Sequence, residues 1–140
     1  MNPRPSGRTA TCTRADAVRR QEHAAKFLEA AELVEVESDE VAASANVAVS
    51  LAVLAGIAAS DAACCAALGR RSRGLDHRQA AELLREVSPG GPEAVRHLQR
   101  LLDLLDSAHY GVITLSGEAL KTALRAARAL VDFSASVLRP

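Results

Sequence analysis

The chain has 140 residues, with 17 basic and 17 acidic side chains and four histidines, enough for one domain with a single sizeable core. Balanced charge gives no reason to expect a surface that as a whole seeks nucleic acid or membrane. The only aromatic residues are Phe27, Tyr110 and Phe133, which excludes an interleaved platform for stacking single-stranded bases.

Fifteen of the basic residues are arginine and 29 residues are alanine, a bias that fits a GC-rich coding sequence and tempers the meaning of any single arginine. The three cysteines, two of them adjacent, do not make a disulfide framework, and a reducing cytoplasm is the simpler reading. The N-terminus has no apolar core of a secretory signal.

In chain order, residues 1–15 (MNPRPSGRTATCTRA) hold two prolines, three arginines and no acid, so a disordered basic tail is expected. The folded domain is then expected over 16–140. A first helix runs from Asp16 to about Glu37, with Ala24, Phe27, Leu28, Ala31 and Val34 on a period near 3.6. Ser38 or Asp39 can cap a second helix, from about Glu40 to Leu68, closed by Gly69. At about 1.5 Å per residue this helix is roughly 43 Å long.

From Val41 to Ser60 the second helix carries no charge, which is the length of a membrane span. Its Ala and Ser content, Asn46 and the following Asp61 favour the buried centre of a bundle, with no membrane. Asp76 and Gln79 resemble a capping box for a short third helix through Val87. After the break SPGGP, Pro92 suits the first turn of a fourth helix. Its apolar series Val95, Leu98, Leu102 and Leu105 continues to His109, which predicts an inward-facing histidine before Gly111 ends the helix. Ser116 caps the fifth, with an inner face of Leu120, Ala123, Leu124, Ala127, Leu130, Val131, Ser134 and Val137. The fold class is therefore all-α, an antiparallel bundle of four long helices and one short one.

Few residues carry chemistry. Asn46, Ser50 and Asp61 fall within a sector of roughly 80° on the second helix. A carboxylate there needs a partner, either His109 or an arginine from another helix in a buried polar site; the plainer reading is a satisfied core network, or an Asp61 exposed where the helix outruns its neighbours. Cys64, Cys65 and His77 do not suit a metal, since adjacent helical positions diverge by about 100°. No metal or other cofactor is expected. Arg70, Arg71, Arg73 and Arg78 cluster around His77, and such a group at helix ends can bind phosphate or merely complement a helix dipole in solvent. Motifs of serine hydrolases, P-loop enzymes and zinc proteases do not occur.

The long Ala-rich segment ANVAVSLAVLAGIAASDAACCAALG, the basic loop leading into LDHRQAAELL, the turn LLDLLDSAHYG and the capped SGEALKTALRAARALVDF together resemble the HEPN superfamily of small helical-bundle proteins, over about residues 16–138. In small bacterial members a histidine often opens the short third helix, as His77 does. A polar–Tyr–Gly turn often ends the fourth, as His109, Tyr110 and Gly111 do. The resemblance implies a homodimer, commonly beside a nucleotidyltransferase-type partner or in a toxin–antitoxin pair.

Active HEPN ribonucleases carry an arginine, then four to six intervening residues, then the turn histidine, a cation for the scissile phosphate beside an imidazole for the 2′-hydroxyl. Here Leu102, Asp103 and Leu104 fill those positions and the nearest arginine is Arg100. The expectation is a non-catalytic, HEPN-like binding protein, with RNA or another phosphate-bearing ligand. Two alternatives stand beside it. One is a metal-independent ribonuclease that uses Arg71 or Arg73 with His77 or His109, near Tyr110. The other is a purely structural interaction module.

Overall fold

A computed structural model describes residues 9–37, 41–73, 77–112 and 114–140. Among the described residues, five helices form the bundle: α1 (Arg14–Glu37), α2 (Val41–Leu68), α3 (His77–Arg85), α4 (Gly91–Tyr110) and α5 (Gly117–Leu138). The proposed caps at Ser38, Asp39 and Asp76 lie outside the described residues. Ser116 caps α5, its hydroxyl accepting from the Ala119 N–H at 3.0 Å.

Helix α2 is the axis of the molecule, packed by α1, α4 and α5, with α3 laid against α4. Alanine makes this closeness possible. Ala48, Ala52, Ala55, Ala58, Ala59, Ala62 and Ala63 are all buried, and Leu84, Leu98, Leu101 and Leu130 fill the space between the helices. Gly56 marks a close crossing, where an added β-carbon would lie 2.4 Å from Leu101 Cδ1 and 3.1 Å from Leu130 Cδ1. The segment Ala43–Leu68 is long and apolar enough to cross a membrane, yet 67% of its most apolar window is buried inside the bundle.

Two expectations need correction. Residues 9–13 are not a loose tail. Thr9–Thr11 (β1) pairs antiparallel with Arg70–Ser72 (β2), in the register Thr9 to Ser72 and Thr11 to Arg70. Helix α1 then opens on a reciprocal cap in which Asp16 N–H donates to Thr13 Oγ1 at 3.1 Å and Thr13 N–H donates to Asp16 Oδ2 at 2.8 Å. A disulfide between Cys12 and Cys65 fastens this segment to the end of α2. The cysteine pattern alone missed that bond because its partners are 53 residues apart.

The second correction concerns His109. The buried stripe of α4 runs Ala94, Val95, Leu98, Leu101 and Ala108, so at the last turn the core position goes to alanine. His109 sits one step around the helix, exposed.

Candidate functional site

At one end of the bundle, β1, the first turns of α1, the last turns of α2 and β2 surround a polar hollow of about 360 Å³. Its wall consists of Thr11, Cys12, Asp16, Arg19, Arg20, His23, Asp61 and Arg71. On α1, Asp16, Arg20 and His23 are spaced four and three residues apart, so they share one face. That face meets α2 where its apolar run gives way to Asp61.

Arg20 donates twice to one carboxylate oxygen, from Nη2 to Asp61 Oδ2 at 3.0 Å and from Nε at 3.2 Å. Only 12% of the Asp61 side chain is accessible, against 31% for Arg20. Burial pushes the Asp61 carboxyl above its ordinary value, and the Arg20 guanidinium, with Arg71 and His77 more weakly, offsets only part of that. The third Arg20 nitrogen, Nη1, lies 3.3 Å from His23 Nδ1. Guanidinium only donates, so this contact requires Nδ1 to accept and places the ring proton of neutral His23 on Nε2. Arg19 is bound to Asp16 at 2.6 Å. Hydrogen bonds from the Thr13 backbone and from Arg19 hold the Asp16 carboxyl below its ordinary value.

Strand geometry disperses the arginines of the loop. Side chains alternate along β2, so Arg70 reaches Glu86 at 3.1 Å while Arg71 turns into the hollow. Among the described residues, Arg71 donates to the Ser72 carbonyl alone, at 3.4 Å. Arg73 and Arg78 are exposed beyond the strand and on α3, and His77 is half-buried at the α3 start. Arg70 and Arg71 therefore face different ways, and of the four arginines Arg71 lines the hollow.

At the other end, Asn46 and Ser50 of α2 meet the turn between α4 and α5. Asn46 accepts from the Leu115 N–H at 2.9 Å and donates to the Ser107 carbonyl at 3.3 Å. Ser50 Oγ lies 2.9 Å from His109 Nδ1. Both residues are half-buried, unlike Asp61, which is buried. His109 and Tyr110, with rings 5.7 Å apart edge to face, border a shallow depression whose apolar wall is Val47, Leu51, Leu54 and Ala108. The three polar residues of α2 thus serve two places. Ser50 and Asp61 are separated by about 16 Å of helix at 1.5 Å per residue.

Sequence reasoning missed Asp16, Arg19, Arg20, His23 and Cys12. The available signal was the 16–20–23 spacing of polar residues on α1. Among the described residues, no three His, Cys, Asp or Glu side chains converge as a metal site. Comparison of the chain with family models, curated proteins and solved structures finds no match.

Proposed function

We propose that this chain is a non-catalytic, HEPN-like binding protein that meets a nucleic-acid partner through its cationic end and works beside a nucleotidyltransferase-type protein, as in toxin–antitoxin pairs. The observation that carries the reading is a separation. His109 is held by Ser50, about 16 Å along α2 from the Arg20–Asp61 corner, so among the described residues no arginine lines the depression beside the turn histidine. An imidazole without a neighbouring cation lacks the charge stabilisation that phosphodiester cleavage demands. Helix α2, its apolar surface largely enclosed by other helices, supports a protein that works without a membrane.

One observation favours a second reading, a metal-independent ribonuclease. Arg71 lines the hollow with Asp61, and His77 begins α3 five residues after β2 ends, its charge within reach of the same carboxylate. Cleavage of a labelled single-stranded RNA pool in the presence of EDTA separates the two. No cleavage by wild type, with RNA retention that falls steeply as salt rises, supports the binding protein. Cleavage lost in His77→Ala or His109→Ala makes it a ribonuclease. Homodimerisation belongs to the same proposal and is read by sedimentation.

A cytoplasmic location is also part of the proposal, and the disulfide sets its condition. Such bonds are rare in reducing compartments, so in acid-trapped cells Cys12 and Cys65 are expected as thiols if the protein resides in the cytoplasm.

A further inference from the structure

The polar hollow at the disulfide end has features of a receptor for an anion. Three guanidinium groups and one imidazole face it, against two carboxylates. Each carboxylate is already engaged, Asp16 by Arg19 and Asp61 by Arg20. Among the described residues, Arg71 pairs with no carboxylate, and its guanidinium keeps donors available beyond the bond to Ser72. The hollow therefore carries one surplus positive charge with His23 neutral, and two with it protonated.

We propose that this hollow binds a terminal phosphate, a phosphomonoester dianion, with Arg71 as the principal ligand and Arg20 and His23 Nε2–H as supporting donors. This deepens the binding reading above and rests on it for the expectation of a phosphate-bearing partner. Charge and donor geometry both point this way, since the planar guanidinium fork matches two phosphate oxygens at once. Size contributes a further constraint. A volume of about 360 Å³ lies near the lower end of the roughly 300–1,000 Å³ that ligand pockets span, so it admits a chain end or a compact phosphorylated molecule.

The site is also preorganised. Arg20 is fixed by two bonds to a buried carboxylate. Arg71 is placed by the β1–β2 ladder, and the Cys12–Cys65 bond and the Cys12 N–H to Gly69 carbonyl bond at 2.9 Å hold that ladder over the end of α2. Ligand binding then has little ordering of these side chains to offset.

Calorimetric titration of the oxidised protein tests this with four probes: inorganic phosphate, uridine 5′-monophosphate, and one short single-stranded RNA bearing either a 5′-phosphate or a 5′-hydroxyl. Inorganic phosphate and uridine 5′-monophosphate are expected to bind once per chain. Arg71→Ala should weaken both by about tenfold or more, as for loss of a charged hydrogen bond, with melting unchanged. Arg71→Lys, which keeps the charge without the fork, should fall between, and His109→Ala should bind as wild type does. Preference for the 5′-phosphorylated RNA identifies a chain end as the source of the phosphate. Phosphate and monophosphate binding without either RNA supports the site, identifies a small molecule as the source, and removes the nucleic-acid reading. RNA binding indifferent to both the 5′-phosphate and Arg71 keeps that reading and overturns the site. No phosphate binding, or full affinity in Arg71→Ala, also overturns it.

Discussion

Opening the Cys12–Cys65 bond should loosen the whole protein, because it closes a loop of 53 residues that spans α1 and α2. In the chain-entropy account, a cross-link over a loop of this size removes about 14 cal/mol/K from the unfolded ensemble, or about 4 kcal/mol at 25 °C. For a domain of this length that corresponds to a fall in Tm on the order of 10–15 °C. The assay is thermal unfolding followed by circular dichroism, with and without a phosphine reductant, beside the double variant Cys12→Ala/Cys65→Ala. Helical content below the transition should persist, since β1 and β2 are three residues each and the apolar core lies within the helices. Thiol titration sets the premise. The denatured oxidised protein should show one free thiol, Cys64. That thiol should be unreactive in the folded protein, where burial, and then the nearby Asp61 charge, push it up to about 12. Three thiols in the denatured protein after air oxidation, or a Tm that moves by less than about 2 °C on reduction of a verified disulfide, would refute the reasoning.

The remaining predictions concern the same corner, the α3–α4 joint and the start of α5. Arg20→Ala leaves Asp61 buried without its cation, and should cost about 2 kcal/mol in urea unfolding, less than the 3–5 kcal/mol of a fully enclosed pair because Arg20 is partly accessible. A loss below about 0.5 kcal/mol counts against the pair, and the cycle with Asp61→Asn isolates its coupling. The pH dependence of Asp61 has a definite sign. Its folded value lies above 3.8, so its contribution favours the fold below pH 3.8 and is lost as pH rises through the folded value. Wild type should therefore weaken relative to Asp61→Asn over that window, and a flat difference would contradict it. Asp16, whose value is lowered, should act oppositely, its contribution being lost as pH falls through that value. Gly91→Ala should cost about 1–3 kcal/mol, because its β-carbon would lie 2.5 Å from the Leu84 carbonyl oxygen and 2.7 Å from that of Arg85. Gly117→Ala, which meets nothing within 4 Å, should melt as wild type does or slightly above it.

What the sequence disclosed depended on how local each feature is. Helix periodicity is local, and the expected spans of α1, α2, α4 and α5 agree with the structure to within a few residues. The exception at residues 14–15 arose because Thr13 and Asp16 cap reciprocally, a pattern that begins four residues before Ala17, the first buried apolar position of α1. His109 shows the limit of a periodic series. From Leu105 a stripe can continue to 108 or 109, and three-dimensional packing chose the alanine.

The hollow was harder to read, because its wall comes from residues 11–12, 16–23, 61 and 71, joined through a three-residue strand too short to show alternation. Its central pair was nonetheless within reach of arithmetic. If α1 and α2 turn back on each other around residue 39, facing positions sum to about 78, which sets Asp61 opposite residue 17. Arg20 is the arginine one turn along on the same side as Asp16 and His23, with a side chain long enough to close the gap. A carboxylate in the last third of an otherwise uncharged helix required a partner, and the antiparallel register supplied its address. The disulfide follows from the same geometry, since Cys12, just ahead of α1, belongs opposite the end of α2, where Cys65 lies.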